Sequence, residues 1–95
     1  MTAGPSVYRS KCRIYADVLR AIQDNEQAKV TYLLHKANLS HDRLMHHLGT
    51  MERLGLIENK TEGDIAFFTI TQKGRKYLTE FRKVEEFGES FGIVV

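Results

Sequence analysis

The sequence predicts an α+β fold, mostly α, in the order helix, helix, helix, strand, strand, helix. Three observations predict it: apolar residues recur at helical spacing three times before Gly55, the period turns extended just after it, and it returns to helical after Thr71. A chain of 95 residues has room for one modest core. With 42% apolar and 27% charged residues, its composition is that of a globular domain rather than a disordered or membrane-embedded one.

Residues 1–9, including Gly4, Pro5 and Ser6, show no periodicity and read as a flexible N-terminal arm. Ser10 offers an N-cap hydroxyl, and Ile14, Val18, Leu19 and Ile22 then form a helical stripe that stops at Asp24 and Asn25. A second helix is expected from near Glu26, with Val30, Leu33, Leu34 and Ala37 on one face. The connection Ala37, Asn38, Leu39 follows; asparagine tolerates the left-handed conformation that ends helices, and Leu39 pins the turn to the core. Ser40 caps a third helix over residues 40–54, with Asp42 at its positive end and Leu44, Leu48, Met51 and Leu54 facing inward. Gly55 stops it. Residues 56–60 and 65–70 read as two strands, the second rich in β-branched and aromatic side chains, with a turn over 61–64. Thr71 caps a last helix, whose stripe of Tyr77, Leu78, Phe81 and Val84 runs to Phe87 and is interrupted by Gly88 and Gly92.

Two helices joined by three or four residues, followed one glycine later by a hairpin, spell a winged helix-turn-helix: three helices, a two-stranded wing and a C-terminal helix. Residues 10–71 then form a DNA-binding domain, and residues 72–95 a C-terminal dimerisation helix with an apolar tail. A small α+β domain with the same element order and no nucleic-acid role is the alternative.

Four stretches, 8–22 (YRSKCRIYADVLRAI), 33–44 (LLHKANLSHDRL), 54–58 (LGLIE) and 68–78 (FTITQKGRKYL), resemble the small archaeal winged helix-turn-helix DNA-binding proteins. That family includes predicted transcriptional regulators and chromatin-associated proteins that dimerise through a C-terminal antiparallel coiled coil. The resemblance implies the fold, double-stranded DNA as ligand and a homodimer. Some positions depart from its pattern: Asp42, Met45 and Gly49 stand where a more basic helix is usual, and His47 where a core aromatic is expected.

The net charge of +2 does not by itself mark a nucleic-acid binder, but the charge is unevenly distributed. Residues 9–53 carry eight Lys or Arg against five Asp or Glu, and residues 73–83 carry five against one. The hairpin is acidic. Positive charge on helices suits a phosphate-contacting surface.

On a helical wheel the outward arc of the third helix holds Asp42, Arg43, His46, Gly49, Thr50 and Arg53, with His41 at its N-terminal end. Arg43 is the first candidate for a base contact, because a guanidinium can donate to both O6 and N7 of guanine. His46, Thr50 and His41 are the other candidate base readers. Phosphate contacts are expected from Arg9, Lys11, Arg13, Lys29, Lys36, Arg53 and Lys60. An ordinary solvated surface is the alternative for at least half of them. Glu62 and Asp64 argue against deep insertion of the wing tip into a minor groove, whose potential is negative.

His35, His41, His46 and His47 do not fall at the i, i+3 or i, i+4 spacing that gathers imidazoles around zinc on one helix, so no metal is expected. No nucleophile, base and orienting residue share a catalytic spacing, which points away from an enzyme and from a cofactor. The lone Cys12 reads as a small, semi-buried thiol. No apolar run is long enough to span a bilayer, no secretory leader is evident, and a cytoplasmic, nucleoid-associated protein is expected.

Tyr77, Phe81, Val84, Phe87 and Phe91 lie close to a heptad seam and are expected to form the dimer interface, helped by the apolar tail Ile93, Val94 and Val95. A two-fold pair of third helices would read a palindrome with half-sites roughly 34 Å apart. The leading reading is a homodimeric transcriptional regulator, with residues 40–54 in the major groove and no evident small-molecule effector. An architectural chromatin-type DNA binder with little sequence preference, or a winged-helix protein-interaction module, are the alternatives.

Overall fold

The computed structural model describes residues 9–95. The expected arm therefore lies, apart from Arg9, outside the described residues. Six elements follow in chain order: α1 (Lys11–Gln23), α2 (Val30–Ala37), α3 (His41–Arg53), β1 (Ile57–Glu62), β2 (Ile65–Ile70) and α4 (Gln72–Ser90).

Hydroxyl caps start three of the four helices. Ser10 accepts from the Arg13 amide, Ser40 from the Arg43 amide and Thr71 from the Gly74 amide, each satisfying a donor that the first turn leaves free. α2 ends at Asn38, which takes the left-handed conformation at φ 54°. α3 closes on Gly55 at φ +80°, where the Gly55 amide donates to Glu52 and the Leu56 amide to Met51 in paired C-terminal bonds.

The core is built where α1, α2, α3 and the hairpin meet. Val18 and Leu19 of α1, Leu33 of α2, Leu44, Leu48 and Met51 of α3, and Ile57 of β1 are fully buried there. β1 and β2 pair antiparallel from Ile57 with Ile70 to Glu62 with Ile65. Ionic contacts lock α4 to α1: the Glu85 carboxylate accepts from Arg20 at 2.7 Å and faces Arg13 at 3.4 Å. The hydrogen bond from Arg20 and the nearby positive charges outweigh partial burial and hold that carboxyl below its ordinary range.

Several expectations are corrected. α2 begins at Val30 and not near Glu26, because the preceding segment is drawn to the hairpin. Ala28 is wholly buried, forms a bridge with Phe68 and accepts its amide at 2.8 Å, while the Asn25 side chain turns the chain by accepting from Gln27. Leu54 is the C-cap of α3 and 47% exposed, not a core residue. β1 runs on to Glu62, leaving a two-residue turn whose first residue, Gly63, has positive φ. Gly88 does not interrupt α4. It is buried inside the helix under the returning tail, whose Ile93 amide donates to the Gly88 carbonyl at 2.7 Å. Cys12 is exposed rather than semi-buried.

Candidate nucleic-acid interface

α3 is amphipathic in a way that fixes which side it can offer to a ligand. Leu44, His47, Leu48 and Met51 are buried, which turns His41, Asp42, Arg43, His46 and Arg53 to solvent with Gly49 and Thr50 at the margin. Arg43 makes no ion pair and no side-chain hydrogen bond among the described residues, so its guanidinium is available. Thr50 is not: its hydroxyl donates to the His46 carbonyl at 3.3 Å and accepts from Arg53 at 3.1 Å. His41 lies 3.7 Å from the Asp42 carboxylate.

His47 points inward and is 8% exposed. Its ring meets Tyr15 edge-on at 5.7 Å, and its Nδ1 is buried with no hydrogen-bond partner among the described residues. Burial, followed by the neighbouring charges of His46, Arg43, Lys11 and Arg9, lowers its pKa below 6.5. It is part of what holds α3 against α1.

Arg9 and Arg13 are committed within the chain. Arg9 binds the Asp17 carboxylate at 2.7 Å and reaches across to the Ala37 and Asn38 carbonyls at 2.8 and 3.2 Å, closing the end of α2 where its carbonyls lack helical partners. Arg13 donates to Asp17 and to the Val95 carbonyl. Sequence reasoning did not single out Asp17, although its i+4 spacing from Arg13 on an otherwise apolar-faced helix was a usable signal.

Lys11, Lys29 and Lys36 are exposed, the last with its ammonium 6.0 Å from the Tyr32 ring centroid. Lys60 sits on the wing 3.5 Å from Glu58. The wing tip is acidic, and Glu62 there accepts from Gln27 at 3.0 Å. Among the described residues no group of three His, Cys, Asp or Glu lies together as a metal site would require. No helix there is long and apolar enough to cross a membrane.

The expected seam on α4 divides in two. Phe81 is buried in its own chain, stacked on Tyr77 at 6.2 Å and under the Arg20 guanidinium at 5.9 Å. Tyr77 is half-buried and donates its hydroxyl to the Cys12 carbonyl at 2.8 Å, while burial raises its pKa. Val84, Phe87 and Phe91 are exposed.

Two helices joined by a tight turn, a two-stranded hairpin beside the second of them, and a polar outer face on that second helix define the winged-helix class. The chain belongs to the winged helix-turn-helix family, whose model matches residues 8–89. Its fold is similar to that of Sso10a-2, a DNA-binding protein from Sulfolobus solfataricus, with a TM-score of 0.76 at 24% identity over 87% of this chain and 85% of that one. Similar too is AF1382 from Archaeoglobus fulgidus, with a TM-score of 0.67 at 15% identity over 88% and 93% of the two chains. The transcriptional regulator BldR from Sulfolobus solfataricus gives 0.66 at 20% identity, over 79% of this chain and 59% of that one. A search of curated proteins gives no match.

Proposed function

We propose that the protein is a homodimeric transcriptional regulator that binds double-stranded DNA with α3 in the major groove. The observation that carries this reading is the exposed N-terminal half of α3, where Arg43 has no partner among the described residues and stands above a buried apolar face. A helix so presented can bring side-chain donors to base edges while neighbouring cations grip phosphates. Arg43 and His46 are the base readers, with His41 at the entry to the groove. Thr50, its hydroxyl occupied, offers its methyl group to a thymine.

Lys11, Lys29, Lys36, Arg53 and Lys60 are the phosphate contacts. Arg9 and Arg13 act one step back, positioning the turn that leads into α3. Two of the similar structures, Sso10a-2, a DNA-binding protein, and BldR, a transcriptional regulator, support this reading. The protein acts by binding, in the cytoplasm at the nucleoid, without cofactor or effector.

Titration of labelled duplexes selected from a random pool, at several salt concentrations, tests the proposal. A steep salt slope with one preferred palindromic sequence is expected. A steep slope without preference would indicate an architectural DNA binder, and no binding at low salt would leave protein interaction as the role of the fold.

A further inference from the structure

α4 has three distinct sides. Gly74, Phe81 and Gly88 are buried against the domain, and Val84 and Phe87 are exposed on a second side. The third carries Arg75, Thr79 and Arg82 at i, i+4 and i+7, and it borders the C-terminal half of α1. Between the two helices lies an open cleft of about 380 Å³, lined by Arg20 and Gln23 of α1 and by Arg75, Leu78, Thr79 and Arg82 of α4. No residue of α3 or of the wing lines it.

Three guanidinium groups and no carboxylate line this cleft. Arg75 makes no ion pair and no side-chain hydrogen bond among the described residues, because its helical neighbours at three and four positions are Thr71, Gln72, Leu78 and Thr79. Arg82 faces Glu86 at 3.5 Å, with both side chains largely in solvent. Arg20 is fixed in place: Glu85 accepts from both of its terminal nitrogens, at 2.7 and 3.3 Å, which leaves its Nε–H without a partner among the described residues. Like charges gathered in one hollow repel one another, and an anion held between them offsets that repulsion.

We infer that the cleft between α1 and α4 is a phosphate-binding site, separate from the α3 surface. Phosphate is the anion that fits the number of donors. A carboxylate is satisfied by one guanidinium, as Glu85 is by Arg20, whereas a phosphate group presents more oxygens and more charge, enough to engage Arg75, Arg82 and the free edge of Arg20 together. Gln23 adds an amide donor. Thr79 does not donate to the ligand, since its hydroxyl donates to the Arg75 carbonyl at 3.2 Å. A nucleic-acid backbone and free pyrophosphate offer the same chemistry, and titration with each separates the two sources.

The test follows backbone amide shifts of the isotope-labelled full chain during titration with pyrophosphate and, separately, with a short duplex. Arg75→Gln removes the unpartnered guanidinium, and Lys76→Gln removes one charge from the neighbouring side of α4 as a control. Saturating shifts at Gln23, Leu78 and Thr79 are expected, with affinity about tenfold weaker in Arg75→Gln and unchanged in Lys76→Gln. Shifts at these amides with the duplex and not with pyrophosphate would also support the site and assign its phosphate to a nucleic-acid backbone. Binding that Arg75→Gln leaves as tight as in the wild type, or that Lys76→Gln weakens as much, overturns the inference in favour of unlocalised positive charge. So does an absence of shifts at all three amides with both ligands. The α3 amides report duplex binding in the same spectra, so duplex shifts confined to α3 overturn the cleft and leave the proposed function standing.

Discussion

The Arg9 guanidinium donates to the Ala37 carbonyl at 2.8 Å, joining a residue two positions ahead of α1 to the last residue of α2 across 28 positions of sequence. The turn into α3 begins there, so the entry angle of the candidate recognition helix is set by a contact from outside the helix-turn-helix itself. Asp17 keeps the guanidinium aimed, from 2.7 Å.

Arg9→Ala is therefore expected to lower unfolding free energy by about 1–2 kcal/mol, the range for a partly exposed, charge-assisted hydrogen bond. DNA affinity should fall on all sequences alike. Urea denaturation and duplex titration check it. An unchanged urea midpoint would show that the contact contributes nothing.

Arg43→Ala should behave differently. Loss of a bidentate guanine contact is expected to cost about 1–3 kcal/mol on the preferred duplex and little on others, with stability unchanged because the side chain has no partner among the described residues. Equal losses on every sequence would reassign Arg43 to phosphate.

His47 gives the fold a pH dependence whose sign follows from its burial. Its imidazole titrates below 6.5 in the folded chain and near 6.5 in the unfolded one, so the unfolded state takes up the proton first as pH falls. The neutral ring's contribution is complete above about pH 6.5 and is lost as pH drops through the folded value. Urea midpoints at pH 7.5 and 5.5 should differ more for wild type than for His47→Phe, which carries no proton and removes the unpartnered Nδ1. Identical shifts in the two proteins would place the pH dependence elsewhere.

Gly74 marks the closest approach of α4 to the rest of the domain. A Cβ there would run into the Leu56 carbonyl, which the Thr71 amide holds at 3.1 Å, and would lie 2.8 Å from the Ile70 side chain. Gly74→Ala, although favourable for helix propensity, is expected to destabilise by about 1–3 kcal/mol through overpacking. A raised melting temperature would contradict this.

Element order and most boundaries were legible in the chain because they depend on local chemistry. Ser10, Ser40 and Thr71 cap where a hydroxyl precedes a helical stripe, and Asn38 and Gly55 end helices where positive φ is needed. The outward arc of α3 was legible as well, since a 3.6-residue period and the three buried apolar anchors Leu44, Leu48 and Met51 define it. Leu54 keeps helical dihedrals and its amide donates to the Thr50 carbonyl at 2.9 Å, but at about 100° per residue it falls at the edge of the arc that Leu44, Leu48 and Met51 define, and it stays exposed. Ala28 could not be assigned from its neighbours, because its place is set by a backbone bond to Phe68 forty residues on.

The sequence by itself determined a helix-turn-helix with a hairpin, and which helix face turns outward, through spacing, capping and turn chemistry that act within a few residues. Only the tertiary structure decided which cations are free. Arg9, Arg13 and Lys11 look alike in sequence, yet the first two are held by Asp17, Glu85 and backbone carbonyls while Lys11 is exposed. It likewise separated Phe81, buried in its own chain, from Phe87 and Phe91, which face outward. The physical reason is the same in both cases. A long side chain's partner is chosen by what other elements bring within its reach, and that choice is not written in its own neighbourhood.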